Sequence, residues 1–309
     1  MGTDLNATPL KPNRFYLAIA GAILAISTAA IFIKFAQQEA PSLVIAAFRL
    51  TLASLALAPL ALTRQRGELK KLTKTELMLG LLSGLFLALH FALWISSLEF
   101  TSVASSVVLV STTPLWVALS ARFVFGERLG WGALAGMALA LLGSALVGLS
   151  DTCQWNNGLA CPPWAALLQG QALLGNLLAL GGAWMAAGYL LIGRRLRATL
   201  SLVPYIFVVY GMAALILIVA ELATGESPFG YQPLTYVWLL ALGLIPQLIG
   251  HSTFNWALRY VPAWFVSVAL LGEPIGSTIL AYYILRELPG PMKLVGAVLI
   301  LVGIYTSTQ

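Results

Sequence analysis

The sequence predicts an all-α integral membrane protein with ten transmembrane helices, arranged as two inverted five-helix repeats around a central cavity. Three observations support this fold class. Hydrophobic residues make up 60% of the 309 residues and charged residues only 9%. The apolar residues form ten long segments, and the second half of the chain repeats a pattern of the first half.

The small share of charged residues excludes several classes of protein. Soluble globular proteins carry about 25% charged residues, so this chain cannot cover a surface that faces water. Disordered chains, coiled coils and collagen are excluded as well. The strands of a transmembrane barrel alternate apolar and polar residues, whereas the apolar runs here are continuous.

A helix needs about 20 apolar residues to cross about 30 Å of hydrocarbon. Ten segments of the chain meet this condition, and the short links after the third and the eighth predict helical hairpins. The predicted spans are 15–35, 42–63, 75–98, 101–124, 129–149, 170–192, 201–222, 234–258, 261–285 and 290–308.

The positive charges predict the orientation of these spans. With the N-terminus in the cytoplasm, thirteen of the 17 Lys and Arg residues lie at cytoplasmic helix ends, Lys34, Arg286 and Lys293 lie outside, and Arg49 lies within a span. Cytoplasmic loops carry an excess of Lys and Arg. We therefore expect a multi-pass protein of the cell (inner) membrane with both termini cytoplasmic. The net charge of +6 then reflects orientation, and no nucleic acid partner is expected.

The two halves of the chain are similar to each other. Each half has five predicted spans, an odd number, so the halves enter the membrane with opposite orientations. We expect a first repeat at 1–149, an extracytoplasmic loop at 150–169 and a second repeat at 170–309. Inverted repeats are typical of secondary transporters. A shift of 160 residues pairs Pro114 with Pro274, Glu127 with Glu287, Gly136 with Gly296 and Gly143 with Gly303, and a shift of 161 pairs His90 with His251.

A series of motifs follows the same order in both halves. The first half has Phe100-Thr101-Ser102-x-Ala104, Pro114, Gly126-Glu127-Arg128-Leu129, Gly136 and Gly143, and Arg49 follows a Phe in span two. The second half has Asn255-x-Ala-Leu-x-Tyr, Glu273-Pro274, Arg286-Glu287-Leu288, Gly296 and Gly303. Over nearly the whole chain, these motifs resemble the EamA family of the drug/metabolite transporter superfamily. The resemblance implies a ten-helix inner-membrane carrier of small metabolites or drugs, with a central cavity and with spans five and ten at the periphery.

Charged residues within spans are costly and are therefore candidates for function. Glu273 lies near the middle of span nine, and Pro274 after it frees a backbone carbonyl. This arrangement predicts a cation or proton site; the alternative is a structural carboxylate held by a hydroxyl or an Arg. Arg49 either reaches outward along its own stem or faces the cavity and binds a carboxylate or phosphate.

His90 and His251 are the only histidines of the chain. Their pairing by the repeat favours a place in the cavity, and their pKa range suits proton coupling, so they join Glu273 as proton-coupling candidates. A buried structural role is the alternative. Trp94 and Asn255 each lie one turn beyond one of these histidines and share its helix face.

Trp184, Tyr189 and Tyr210 are further candidates for the cavity lining, although interfacial belts and helix packing are the commoner roles of aromatic residues in membranes.

Cys153 and Cys161 lie in the extracytoplasmic loop, where they form a disulfide or remain free thiols. The glycine spacings Gly80/Gly84 and Gly132/Gly136 predict close helix packing, with a dimer contact as the alternative.

The predicted function is a secondary transporter that moves a small organic metabolite, such as an amino acid, or a drug by alternating access, with export as the favoured direction. An uncoupled facilitator is equally compatible. A membrane-embedded enzyme is a remote alternative because the sequence lacks His-Glu-x-x-His, Gly-x-Ser-x-Gly and paired intramembrane Asp. The expected partners are the solute, the lipid bilayer and protons. No cofactor or metal is expected, and the protein is a monomer or a homodimer.

Overall fold

A computed structural model of the chain describes residues 12–125, 130–150, 153–155, 159–161, 170–261 and 263–307. Most of these residues are helical. The elements in chain order are α1 (Pro12–Ser27), α2 (Ala29–Ala36), α3 (Ser42–Thr63), α4 (Arg66–Lys70), α5 (Lys74–Phe100), α6 (Val103–Val110), α7 (Thr113–Phe125), α8 (Trp131–Ser150), β1 (Gln154–Trp155), β2 (Leu159–Ala160), α9 (Gln171–Arg197), α10 (Leu202–Thr224), α11 (Pro233–Leu242), a π-helical segment (Gly243–His251), α12 (Ser252–Ala257), α13 (Ala263–Ala269), α14 (Gly272–Leu280), a second π-helical segment (Ala281–Leu285) and α15 (Pro291–Ser307).

Within the described residues, eight helical segments are long and apolar enough to cross a membrane. Two shorter apolar stretches, Leu134–Gly143 and Pro291–Gly303, lie where the fifth and tenth spans are expected. The integral membrane character of the sequence prediction is confirmed, while the count of ten spans stays a prediction.

The segment between α8 and α9 departs from the all-α expectation. Strands β1 and β2 pair antiparallel in a two-stranded ribbon, with Gln154 opposite Ala160. A disulfide joins Cys153 to Cys161 on either side of this ribbon. A hydrophobicity pattern read over windows of 20 residues cannot detect strands of two residues.

Two of the predicted spans are interrupted at matching places. Helices α6 and α7 meet at Ser111–Thr112, just before Pro114, and α13 and α14 meet at Leu270–Leu271, just before Pro274. Neither proline has a backbone N–H to donate to the carbonyl four residues earlier.

Nearby groups satisfy both of the carbonyls that lose a donor. The Thr113 hydroxyl donates to the Val110 carbonyl at 2.8 Å. The Glu273 N–H donates to the Leu270 carbonyl at 2.9 Å. Each half of the chain therefore interrupts a helix inside the bundle without leaving the backbone carbonyl before the proline unpaired.

A third proline, Pro246, lies in the π-helical segment Gly243–His251. The wider π turn accommodates a residue without an N–H, and such segments are frequent at functional sites. This segment carries Gln247 and His251 into the interior of the bundle; the Gln247 side chain is fully buried.

The bundle has two distinct ends. The disulfide end carries the β1–β2 ribbon, and the arginine end carries Arg194, Arg195 and Arg197 of the last turn of α9. At the disulfide end, Glu39 accepts hydrogen bonds from the Thr235 hydroxyl at 2.7 Å and from the Gln232 N–H at 2.9 Å. The Thr235 hydroxyl and, less strongly, the Gln232 N–H lower the pKa of Glu39 below its ordinary value.

Helices α8 and α15 pack through glycines. A Cβ on Gly143 would lie 2.6 Å from the Gly296 carbonyl oxygen, and a Cβ on Gly303 would lie 2.6 Å from the Gly136 carbonyl oxygen. Only glycine lets the two backbones come this close. Gly80 and Gly84 likewise face α10, where a Cβ on Gly84 would lie 2.6 Å from the Met212 Cβ.

We expect Gly143→Ala to lower the melting temperature of the purified protein, because its methyl group overlaps the opposing backbone; overpacking typically costs about 1–3 kcal/mol. Gly132→Ala, in the same helix, is the matched control. A Cβ there lies 3.6 Å from its nearest neighbour, so this variant should be neutral or slightly stabilising. Equal melting temperatures for the two variants would contradict the packing of α8 against α15.

Candidate functional site

A cavity lies in the interior of the bundle. It contains about 650 Å³ of space free of atoms, its mouth included. Helices of both halves of the chain form its wall. The lining residues are His90, Trp94, Val110, Ser111, Thr113, Pro114, Ala186, Tyr189, Leu190, His251, Phe254, Asn255, Ser267, Leu270 and Glu273.

Several of these residues are partners in the internal repeat. The shift of 161 residues pairs His90 with His251 and Trp94 with Asn255, and the shift of 160 pairs Thr113 with Glu273. All six line the cavity. The two halves therefore contribute matching positions to its wall, but in most pairs with different side chains. The binding surface is consequently chemically asymmetric.

His90 is held rigidly in the wall. Its Nδ1 lies 2.9 Å from the Gly182 carbonyl oxygen. Because a carbonyl can only accept, Nδ1 carries the proton, and the other ring nitrogen of a neutral His90 is an acceptor. The ring is stacked on Trp94 at a centroid distance of 6.0 Å and an interplanar angle of 12°.

Asn255 organises a buried polar network beside the cavity. Its side-chain amide donates to the Tyr189 hydroxyl, lies 3.3 Å from the Tyr210 hydroxyl and lies 2.8 Å from the His251 carbonyl. The Tyr210 hydroxyl is also 3.3 Å from the Ser252 hydroxyl. This network holds the hydroxyl groups of Tyr189 and Tyr210 in place.

Arg49 is fully buried and does not reach the membrane surface. Its Nε donates to Gln247 Oε1 at 2.8 Å. Its guanidinium carbon lies 4.1 Å from the centre of the Phe91 ring and 5.8 Å from that of Trp94. Arg49 therefore lies directly behind the cavity wall that Trp94 forms.

Glu273 lines the cavity in the first turn of α14. This turn starts at the break in the span, so the carboxylate lies at a helix N-terminus inside the bundle, where a negative charge is favoured. Among the described residues, no hydrogen-bond partner of this carboxylate is found. Its carboxylate interacts electrostatically with the Arg49 guanidinium and faces the cavity.

The structure brings together seven of the nine residues predicted to bind substrate, six of them as lining and Arg49 directly behind the wall. Tyr210 lies one contact further out, through Asn255. Trp184 lies apart from the cavity: 57% of its surface is exposed, and it is stacked on Trp116 at 5.6 Å. It faces outward because its helix turns the small residues Ala183 and Ala187 inward instead.

Sequence reasoning missed Gln247 and Thr113. Gln247 is a polar residue within an apolar span, which is itself a signal of an internal partner. Thr113 is the repeat partner of Glu273 and precedes a proline. In the described part of the chain, no group of three or more His, Cys, Asp or Glu residues could hold a metal ion.

Comparisons with known proteins agree with this architecture. The model of the EamA-like transporter family matches the chain twice, at residues 13–149 and 173–309. An uncharacterized transporter of Archaeoglobus fulgidus is 23% identical over 297 residues, which cover 96% of this chain and 98% of the relative. The inner membrane protein YtfF of Escherichia coli is 23% identical, with coverage of 84% and 83%.

Two further matches are a curated relative and a solved structure. A probable terminal-alkyne amino-acid exporter of Streptantibioticus cattleyicolor is 25% identical over 64% of this chain and 61% of its own length. A solved crystal structure matches over 96% of both chains with a TM-score of 0.66 and 21% identity. At that identity the likeness shows the fold alone.

The family model covers nearly the whole chain, the described helices are apolar enough to span a membrane, and the relatives are named as transporters. The protein is a multi-pass membrane protein that belongs to the EamA-like transporter family, whose members carry small solutes.

Proposed function

We propose that the protein is a secondary transporter that moves a small organic solute by alternating access. The observation that supports this proposal is a central cavity whose wall is formed by helices of both halves, and the proposal places the opening of this cavity at the arginine end. The lining residues Tyr189, Asn255 and Ser267 lie toward the arginine end of their helices. The breaks before Pro114 and Pro274 provide discontinuous helices at the cavity, a frequent feature of solute sites in transporters.

Polar contacts close the disulfide end. Lys34 donates to the Leu98 carbonyl, and Gln37 donates to the Ile95 carbonyl at 2.8 Å. Glu287 accepts from the Val103 N–H at 3.0 Å. Together these bonds hold the outer parts of α2, α5 and α6 and the segment before α15 against one another.

The arginine end differs from the disulfide end. Lys34 at the disulfide end reaches across to α5, whereas Arg195 at the arginine end has an exposed side chain. Two related modules thus take up different arrangements at their two ends. This asymmetry is what a carrier with one closed gate requires, and exchanging the two arrangements would open the opposite side.

The proposal includes two inverted repeats, 1–149 and 170–309, joined by the loop 150–169. The glycine contacts of α8 and α15 support it. A shift of 160 residues converts Gly143 into Gly303 and Gly136 into Gly296, so the contact Gly143–Gly296 becomes the contact Gly303–Gly136. A two-fold axis in the membrane plane produces this exchange. The double match of the family model also supports it.

The arginine end is proposed to face the cytoplasm, because Arg194, Arg195 and Arg197 lie there. Both termini are then cytoplasmic, the membrane is the inner membrane, and the cavity opens inward. An inward-open cavity loads solute from the cytoplasm, as export requires. The name of the Streptantibioticus cattleyicolor relative supports an amino acid or a related compound as cargo.

Proton coupling is proposed for Glu273, with His90 and His251 as further carriers. All three side chains line one cavity, so a proton and a solute can compete for the same space. One proton moving down about 100 mV supplies about 2.3 kcal/mol. The protein is an uncoupled facilitator if no proton gradient drives it.

We expect Glu273→Gln to abolish uphill transport driven by a pH gradient in proteoliposomes, because the amide cannot exchange a proton. Solute counterflow, which needs no proton, should persist. The solute is first identified by testing a metabolite panel for thermal stabilisation. Glu68→Gln, at the arginine end, is a control that should keep both activities. Full pH-driven transport by Glu273→Gln would remove this residue from the coupling step.

Cysteine labelling tests alternating access without background, because both native cysteines are joined in the disulfide. Ala186→Cys lies in the cavity wall, and Leu98→Cys lies beneath the closed disulfide end. We expect a solute that drives the outward-open state to slow labelling of Ala186→Cys and to speed labelling of Leu98→Cys. Gly67→Cys, with open space around it, should label at a constant rate. Changes in the same direction at Ala186→Cys and Leu98→Cys would contradict alternating access.

A further inference from the structure

A group of hydrogen-bond donors around Arg49 is buried without acceptors. Among the described residues, no partner is found for either terminal nitrogen of Arg49, for Trp94 Nε1 or for Gln247 Nε2. Arg49 Nε contacts the Gln247 side chain at 2.8 Å, and the Arg49 guanidinium lies 5.8 Å from the Trp94 ring. All four donors therefore belong to one small cluster.

The other fully enclosed arginine shows how this chain treats a buried guanidinium that serves structure alone. Arg197 Nε donates to the Asn255 carbonyl at 3.1 Å, and Arg197 Nη1 donates to the Leu200 carbonyl. Backbone oxygens thus satisfy Arg197. The two terminal nitrogens of Arg49 have no such acceptors among the described residues, although its side chain is also buried.

Buried donors without acceptors are costly, and a buried charge without a partner is more so. The guanidinium carbon of Arg49 lies 4.1 Å from the centre of the Phe91 ring. This cation–π contact compensates part of the charge. The ring does not, however, accept hydrogen bonds from the N–H groups, which point outward in the plane of the guanidinium. Glu273 in the cavity wall interacts electrostatically with Arg49, but no hydrogen bond joins its carboxylate to the terminal nitrogens of Arg49. These nitrogens can therefore still donate to an acceptor from outside the chain. The fork of an arginine matches a carboxylate, which accepts two parallel bonds.

We propose that Arg49, Gln247 and Trp94 form a carboxylate-binding subsite and that the transported solute carries this carboxylate. The inference rests on the proposed transport function and specifies its cargo. Trp94 belongs both to the cavity wall and to the donor cluster, so the cluster adjoins the cavity through this side chain.

The first test is a thermal-stability titration of the purified full-length protein. Carboxylates are compared with the corresponding amides, which lack the carboxylate charge: acetate with acetamide, benzoate with benzamide, and leucine with leucinamide. We expect at least one carboxylate to raise the melting temperature while its amide does not. Sodium chloride is titrated separately. A rise with chloride equal to that with every carboxylate would overturn the assignment to the cargo, as would no response to any carboxylate.

Variants assign the response to the cluster. Arg49→Lys keeps the charge but loses the fork, and it should weaken the apparent affinity for the carboxylate about 10- to 100-fold. Arg197→Lys is the matched control: it should lower the melting temperature yet keep the affinity. An unchanged affinity in Arg49→Lys would overturn the proposal.

Gln247→Glu provides a second test that does not depend on whether the Arg49 variants fold. It places a carboxylate next to the guanidinium and so supplies the missing acceptor from within the chain. We expect a higher melting temperature without ligand and loss of the carboxylate response. A less stable protein that still responds would contradict the subsite.

Failure of this inference is distinct from failure of the transport proposal. Uptake of a cationic or neutral solute into proteoliposomes, without any carboxylate response, would retain the carrier and remove the subsite. The absence of uptake for every solute of the panel would contradict the transport function itself.

Discussion

The structure depends on one constraint: within hydrocarbon, each polar group of the chain must find its partner inside the protein. Most groups do. The Thr113 hydroxyl covers a carbonyl that Pro114 leaves open, and the Ser97 and Ser106 hydroxyls lie 2.6 Å apart between two helices. Where the rule is not met, the donors around Arg49 lie at or behind the cavity wall, whereas other buried groups without a partner among the described residues, such as the Ser83 and Tyr205 hydroxyls, do not line the cavity.

The helix breaks follow from the same constraint. A break within a membrane exposes backbone groups, and it is tolerated only where protein or a cavity surrounds them. The breaks before Pro114 and Pro274 both adjoin the central cavity. Their positions match under the internal repeat, so both halves bring an interrupted helix to the solute space.

Much of the architecture is visible in the sequence because hydrophobic length and glycine spacing are local properties. The apolar runs located the spans, and the repeat located His90, His251 and Glu273, all of which line the cavity. Trp184 was misplaced because an aromatic residue has no polar preference strong enough to choose between cavity and lipid. Its 57% exposure is decided by the packing of α9.

Other features depend on distant contacts that no spacing reveals. Gln247 and Arg49 are 198 residues apart, and only the fold brings their side chains together. The π-helical segment that carries Gln247 has no sequence signal beyond Pro246. The contacts of Lys34 and Glu287 at the disulfide end are also invisible in the sequence, because each joins residues that are far apart along the chain.

The central claim is that the two ends of the bundle open in alternation around a shared cavity. Hydrogen–deuterium exchange of the unmodified protein in lipid nanodiscs, with and without its solute, tests it most directly. Segment 98–106 reports the disulfide end, and segment 252–261 reports the arginine end. The account predicts opposite changes: when solute drives the outward-open state, exchange rises in 98–106 and falls in 252–261. Changes of the same sign at both ends would contradict it.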